Sequence, residues 1–245
     1  MRKLISLDEN WTLSFPKGER LAEKVTLPHT WNAVDGMDGN GSYLRTTGVY
    51  RCTFLKPEQP LEGGRVYVEV LAAALAAVVK VNGTVAVTHE GGFSAFRADI
   101  TDLCKEGNNE MTIEVSNEDT PSMYPASADF TFYGGLYRGV NLISVPHTHF
   151  DLDYYGGSGI KVTPKPTEDG GATFEIESFV TNQEDCFTVM YSIEDACGCE
   201  VAAAVRPADD TAVTIYVPDA KLWSMDEPNL YTVVARLQKN NETYD

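Results

Sequence analysis

Through most of the first half of the chain, apolar and polar positions alternate with a period of two, the pattern of strands with one buried face. Arg65-Val66-Tyr67-Val68-Glu69-Val70 alternates in this way, and residues 109–116 put Met111, Ile113 and Val115 on one face. Residues 4–7, 11–15, 49–54 and 96–101 predict further short strands. Val78-Val79-Lys80-Val81 and Thr84-Val85-Ala86-Val87 flank Asn82-Gly83, and Asn-Gly between apolar runs is the strongest short-range hairpin signal. Residues 71–77 favour helix by intrinsic propensity, but they run straight into that hairpin, so strand is expected from Ala76 onward. Asp129-Phe130-Thr131-Phe132-Tyr133-Gly134-Gly135-Leu136-Tyr137-Arg138, followed by residues 139–145, reads as a loop feeding a strand. Its glycine pair lets the backbone turn tightly or approach a neighbour closely.

About eight short strands without a helix predict a β-sandwich of jelly-roll type. Pro146 and a shift in charge place a boundary near residues 146–152. Beyond it strands are expected at 160–163, 172–181, 187–193, 201–205, 212–217 and 230–237, the regular spacing of an immunoglobulin-like sandwich. The fold class is therefore all-β. The tail, residues 240–245, reads as hairpin-like with no later strand to pair with, so the second sandwich is expected to stop before its last strand.

The 245 residues are 43% hydrophobic, enough to bury two cores, and carry a formal charge of -17. That charge is uneven: residues 1–150 hold 13 basic and 18 acidic side chains, residues 151–245 hold 6 and 18. The second half therefore repels phosphate backbones and anionic membranes, so no nucleic-acid partner is expected. No apolar run reaches the roughly 20 residues of a bilayer span, so no membrane partner is expected. The first residues turn acidic before any signal-peptide core appears, which reads as cytoplasmic unless a leader has been removed. Five cysteines, of which only Cys197 and Cys199 lie close together, read as reduced thiols rather than a disulfide framework. Cys197-Gly198-Cys199 is either a turn with two incidental thiols or a metal or redox pair. His147-Thr148-His149 puts two imidazoles on one face of a strand, which suits a metal but lacks carboxylate support. The long loop Asp35-Gly36-Met37-Asp38-Gly39-Asn40-Gly41-Ser42 combines turn formers with two carboxylates and has little to bury, a composition more often functional than accidental.

Taken together, several segments resemble the N-terminal portion of glycoside hydrolase family 2, the family of β-galactosidases, β-glucuronidases and β-mannosidases. They are Leu27-Pro28-His29-Thr30-Trp31-Asn32, Gly48-Val49-Tyr50-Arg51, Val81-Asn82-Gly83, His89-Glu90-Gly91-Gly92-Phe93 with Phe96 and Asp99-Ile100-Thr101, Phe132-Tyr133-Gly134-Gly135-Leu136-Tyr137-Arg138, and Leu222-Trp223-Ser224 with Pro228-Asn229-Leu230-Tyr231. Their order and spacing cover essentially the whole chain. The resemblance implies a jelly-roll (galactose-binding-like) sugar-binding domain over 1–148 and an immunoglobulin-like domain over 149–245, leading to a catalytic (β/α)8 barrel that these residues do not include. The family's retaining hydrolysis uses two barrel glutamates about 5 Å apart. Asn109-Glu110 and Asn241-Glu242 imitate the Asn-Glu pair of its acid/base motif, but one opens a strand and the other lies in the tail. No catalytic residue is expected here, and the chain alone should be inactive.

In β-galactosidase-like members a carboxylate six residues before the second position of the glycine turn reaches the barrel's sugar pocket, and Asp129 stands six before Gly135. It is read as substrate-binding, against the alternative of a loop aspartate capping local amides. Asp35, Asp38 and Asn40 belong to the family's other loop at the active-site mouth, where they meet a sugar or cation or merely keep the loop solvated. His89, Arg138, Tyr137 and Gly135 match motif positions read as structural: a histidine donating to a carbonyl, an arginine pairing across the sandwich. Trp31, Tyr124 and Tyr133 are candidates for stacking on a sugar, with core or interface the commoner fate. The resemblance implies no cofactor in this stretch, Na or Mg in the full-length enzyme, a β-linked galactoside or glucuronide as substrate, and contacts to the barrel and in a homo-oligomer. A free-standing carbohydrate-binding, lectin-like module and a structural interaction module remain the competing readings.

Overall fold

The computed structural model describes residues 1–37, 42–58, 63–119, 132–183 and 186–245, and no helix occurs among them. They divide into two compact units, one built on Lys3–Gln59 and Arg65–Ser144, the other on Val145–Asp245 together with Met1–Arg2.

The first unit carries β1 (Lys3–Ser6), β2 (Trp11–Ser14), β3 (Glu23–Val25), β4 (Thr47–Leu55), β5 (Arg65–Val70), β6 (Ala76–Val81), β7 (Thr84–Glu90), β8 (Phe96–Asp99), β9 (Asn108–Ser116) and β10 (Val140–Val145). Antiparallel pairing arranges them as one sheet in the order β3-β2-β4-β9-β6-β7 and a second in the order β1-β10-β5-β8. Neighbours distant in sequence, such as β4 with β9 and β1 with β10, give the jelly-roll crossing expected from the strand pattern. Alternation does the sorting. β9 buries Asn109, Met111, Ile113 and Val115 and leaves the residues between them more open. Trp11, Leu13, Tyr50, Val68, Met111, Ile113 and Leu142 form the core, each worth about 1.5–3 kcal/mol when fully removed from water.

Two local signals read as expected. Asn82 (φ 50°) and Gly83 (φ 83°) are both left-handed and join β6 to β7 in a two-residue turn, with Val81 opposite Thr84. The alanine-rich stretch is not helical: Ala72 and Ala73 are buried in the core, and Ala74 bridges Gly135. Tertiary packing overrides a preference worth only tenths of a kcal/mol per residue. On the β5 and β8 pair, Glu69 lies opposite Arg97, accepts from its Nε (2.8 Å) and Nη2 (2.6 Å), and takes a further bond from Asn141 Nδ2 (2.8 Å), so a buried carboxylate is fully answered.

The second unit carries β11 (His149–Phe150), β12 (Ile160–Pro166), β13 (Ala172–Ser178), β14 (Val180–Thr181), β15 (Thr188–Glu194), β16 (Glu200–Pro207), β17 (Ala212–Val217), β18 (Thr232–Lys239) and β19 (Glu242–Thr243). Its sheets run β12-β13-β17 and β16-β15-β18-β19, the two layers of the immunoglobulin-like sandwich, with β11 paired to β14. Phe174, Ile176, Val189, Tyr191, Ile193, Ile215 and Leu237 fill the space between the layers. The tail is hairpin-like, as expected. Left-handed Asn240 and Asn241 turn the chain so that Glu242 pairs Lys239 and Thr243 pairs Gln238 on β18. Asp245 then closes the unit, accepting from Arg2 Nε (2.8 Å) and Nη2 (2.6 Å) and from the Phe150 amide (2.9 Å).

Candidate functional site

The glycine turn opens the site. Residues 134–136 lie against residues 29–31: the His29 amide donates to Leu136 O (2.8 Å), the Trp31 amide to Gly134 O (3.3 Å), and Thr30 Oγ1 also to Gly134 O (2.8 Å). A Cβ on Gly134 would overlap the Trp31 ring, and one on Gly135 would stand 2.5 Å from His29 O and 2.8 Å from Tyr50 Oη. Gly135 also has φ 132°, a conformation reserved for glycine. The pair is there so that two stretches of backbone can touch, as the sequence suggests.

From this contact a knot of polar groups spreads over Asn32, Asp35, Leu44, Asn117 and Phe132. Asn32 Oδ1 accepts from the Gly134 amide (2.7 Å) and from Asn117 Nδ2 (3.3 Å), while Asn32 Nδ2 donates to Asp35 Oδ2 (2.7 Å) and Leu44 O (2.9 Å). Asn117 Nδ2 also donates to Leu44 O (3.0 Å) and Phe132 O (2.8 Å), and its Oδ1 accepts from the Thr46 amide (2.8 Å). Arg45 Nε donates to Asn117 O (2.9 Å), and its guanidinium stacks 4.5 Å over the Phe132 ring. Both Asn32 and Asn117 are buried, and no buried side-chain polar atom among the described residues lacks a partner. The knot therefore pins both ends of residues 35–44 and both ends of residues 117–132 to one another. Neither Asn117 nor its coupling to Asn32 is evident from the sequence; the one local hint is an asparagine where an alternating strand gives way to a loop.

Asp35 belongs to the knot, which corrects the expectation of a solvated or sugar-facing carboxylate. It is buried, and both oxygens are used: Oδ1 by Arg20 Nη2 (2.7 Å), Oδ2 by Asn32 and by the Leu44 amide (2.8 Å). Burial pushes its carboxyl up, and the bonds from Leu44, Asn32 and Arg20 outweigh that and hold it below the usual carboxylate value. Trp31 is likewise core, 2% exposed and edge-on to Phe15, so it is no stacking platform; Tyr133, half exposed beside the knot, is the aromatic that remains open. Asp38, Asn40, Tyr124 and Asp129 lie outside the described residues.

The structural motif residues gather separately. His89 Nε2 lies 3.1 Å from Gly91 O, its ring stacked on Phe96 at 4.1 Å, and the Tyr137 hydroxyl donates to Gly92 O. Arg138 does not pair across the sandwich; it is held at the surface, donating to Phe93 O (3.2 Å) and lying 5.8 Å over the Tyr137 ring. Glu110 faces Arg51 (3.5 Å) at the surface and Glu242 sits in β19, so neither Asn-Glu pair has a cleft.

The histidine pair does not assemble a ligand set. Among the described residues no three His, Cys, Asp or Glu side chains are placed to share a metal ion. His149 is buried, and its Nδ1 faces Pro146 O (2.8 Å) and His147 O (3.0 Å), so the ring donates through Nδ1. Burial lowers its pKa against the opposing pull of those carbonyls. The neutral ring is then the folded form, and its contribution is complete above the unfolded value of about 6.5 and lost as pH falls through the lower folded value. Acid titration of the second unit's thermal midpoint should therefore show a decline beginning near pH 6.5 that His149→Gln removes; an unchanged decline in the variant would refute this assignment.

The second unit also presents an apolar groove of about 740 Å3 lined by Ile160, Val162, Pro164, Phe174, Trp223 and Leu230 among others. Leu222, Trp223, Met225 and Leu230 stand exposed along one segment there, the kind of patch that marks an interaction surface.

Comparison with known proteins covers both units. Residues 3–146 match the family model described as glycosyl hydrolases family 2, sugar binding domain, and residues 158–245 match the one described as glycosyl hydrolases family 2. A β-glucuronidase of Bacteroides fragilis is 27% identical over 258 residues, covering 100% of this chain and 36% of its own length. A β-galactosidase of Thermoanaerobacter pseudethanolicus is 27% identical over 247 residues, covering 97% of this chain and 32% of its own. A crystal structure described as an FMN-binding β-glucuronidase from Facaelibacterium prausnitzii L2-6 superposes with a TM-score of 0.97 at 84% identity, over 100% of this chain and 38% of that one. The chain thus spans about a third of the length of each of these three relatives.

Proposed function

This chain belongs to glycosyl hydrolase family 2, and from that premise we propose that it is the sugar-facing scaffold of a retaining β-glycosidase, presenting two pinned loops to a catalytic barrel in the remainder of a longer protein. The observation that carries the reading is the Asn32–Asn117 knot, which roots both loops at one place on the jelly roll. Asp129, in the stretch between Asn117 and Phe132, is the carboxylate proposed to accept hydrogen bonds from sugar hydroxyls. Asp35 holds the base of the first loop, which leaves Asp38 and Asn40 as its groups for a sugar or cation. The proposed substrate is a β-glucuronide ahead of a β-galactoside, supported by the 84% identical structure described as a β-glucuronidase. The exposed apolar segment around Trp223 is the surface this reading gives to the barrel.

The 245-residue chain alone should not hydrolyse chromogenic β-glucuronides or β-galactosides, and turnover above a heat-killed control would overturn the proposal. In the longer protein, Asp129→Ala should lower kcat/KM by roughly 10- to 100-fold, the worth of hydrogen bonds to a charged acceptor. Heat on titrating glucuronate or galactose into the chain alone would favour a self-sufficient carbohydrate-binding module instead.

A further inference from the structure

The hairpin joining β15 to β16 carries two thiols that the function above does not use. Its turn, Asp195-Ala196-Cys197-Gly198-Cys199, is clamped by its own backbone. Asp195 O accepts from the Gly198 amide (2.9 Å), and Cys199 O accepts from the Asp195 amide (2.9 Å). Asp195 Oδ1 accepts from the amides of both Cys197 (2.8 Å) and Cys199 (3.0 Å). Gly198 takes φ 77°, with no heavy atom within 4 Å of where a side chain would begin, so the tip is open to solvent. Both cysteines are free and exposed.

We propose that Cys197 and Cys199 form a reversible dithiol–disulfide pair that exchanges with low-molecular-weight disulfides of the glutathione type. Residues two apart are separated by at most about 7 Å when extended, and a folded middle residue shortens this into the ~4.4–6.8 Å window of Cα separations that a disulfide spans. A metal centre is the weaker use of the same thiols, since a closed tetrahedral site needs four ligands and no third ligand joins them among the described residues. The exchange balances without further reagents. One thiol loses its proton and attacks a sulfur of the oxidant, forming a mixed disulfide and releasing one small thiol. The second protein thiol loses its proton and attacks the mixed disulfide at the protein sulfur, which closes the ring and releases the second small thiol. The protein loses two hydrogens, and the small disulfide is reduced to two thiols. The other cysteines lack one requirement or another. Cys186 is exposed, but its sequence neighbours offer no second thiol. Burial pushes the thiols of Cys52 and Cys104 up to about 12 and about 11, leaving little thiolate to react.

The test equilibrates the reduced 245-residue chain with glutathione buffers of stepped oxidised-to-reduced ratio, quenches in acid, alkylates free thiols and maps peptides by mass spectrometry. The peptide with Cys197 and Cys199 should lose two hydrogens and escape alkylation at roughly tenfold less oxidant than is needed to load Cys186 with glutathione, because its second step is intramolecular. Excess reduced glutathione should reverse it. Cys197→Ser and Cys199→Ser should each leave the remaining thiol as a glutathione adduct, with no internal bond. Adducts on both cysteines of the unsubstituted chain without ring closure, disulfides formed only between chains, or no oxidation at any ratio would each overturn the proposal.

Discussion

Gly135→Ala should cost the first unit roughly 2–6 kcal/mol, combining about 1–3 for a glycine-only backbone conformation with about 1–3 for overpacking. The added methyl would meet His29 O and the Tyr50 hydroxyl, groups already fixed by their own bonds: the His29 amide to Leu136 O, and Tyr50 Oη to His29 Nδ1 at 2.9 Å. Gly134→Ala should be similarly severe, because the Trp31 ring it strikes is held by Nε1 donating to Leu44 O (3.2 Å) and by edge contact with Phe15 at 5.8 Å. Urea unfolding followed by tryptophan emission would read this, since Trp11 and Trp31 are buried in the first unit while Trp223 is exposed in the second. At about 1–3 kcal/mol per molar urea, the first unit's transition should move by roughly 0.7 M or more. Gly18→Ala is the control. Its φ of 75° is also left-handed but nothing lies within 4 Å, so only the backbone cost of about 1–2 kcal/mol applies. Equal losses at Gly18 and Gly135 would show that close approach is not what the glycine pair provides.

Asn117→Ala should destabilise the same unit by about 2–4 kcal/mol, with several net bonds of about 1 kcal/mol removed and buried partners left unsatisfied. Asn117→Asp keeps the shape but cannot donate, so it loses the bonds to Asn32 Oδ1, Leu44 O and Phe132 O and turns a carboxylate toward three oxygens. It should be at least as damaging as alanine. Amide exchange at Thr46, whose proton goes to Asn117 Oδ1, should accelerate in the alanine variant, and exchange at Gly134, whose proton goes to Asn32 Oδ1, in both. In the longer protein, loosened loop roots should lower kcat/KM more than they change the second unit's melting. A loss under about 0.5 kcal/mol in both variants, the range of an ordinary surface change, would show that the knot does not hold the unit together.

The structure also shows where local reading stops. Asp35 sits in a glycine-rich run that looks solvated, yet its carboxylate is buried because Arg20 and Leu44 converge on it from either side. Asn117 closes a strand whose alternation is plain, but its partners lie at Asn32, Leu44 and Phe132. Residues 71–77 invert the problem: helical propensity is strong, but Ala72 and Ala73 are consumed by the core. His147 and His149 share a strand-like spacing, but the His149 ring turns inward onto the carbonyls of Pro146 and His147.

Strand faces, the Asn82-Gly83 hairpin and the need for small residues at Gly134 and Gly135 are legible in the chain, because side-chain alternation and left-handed backbone are properties of one to four consecutive residues. The two-sandwich architecture follows from the same pattern together with the family resemblance. Which polar groups meet was decided only by the folded chain. A buried amide must find partners wherever the backbone passes, and for Asn32 Oδ1 those are Gly134 and Asn117, 102 and 85 positions away. The glycine turn and the loop knot are thus one device: the glycines admit the backbone contact, and the contact places the asparagines.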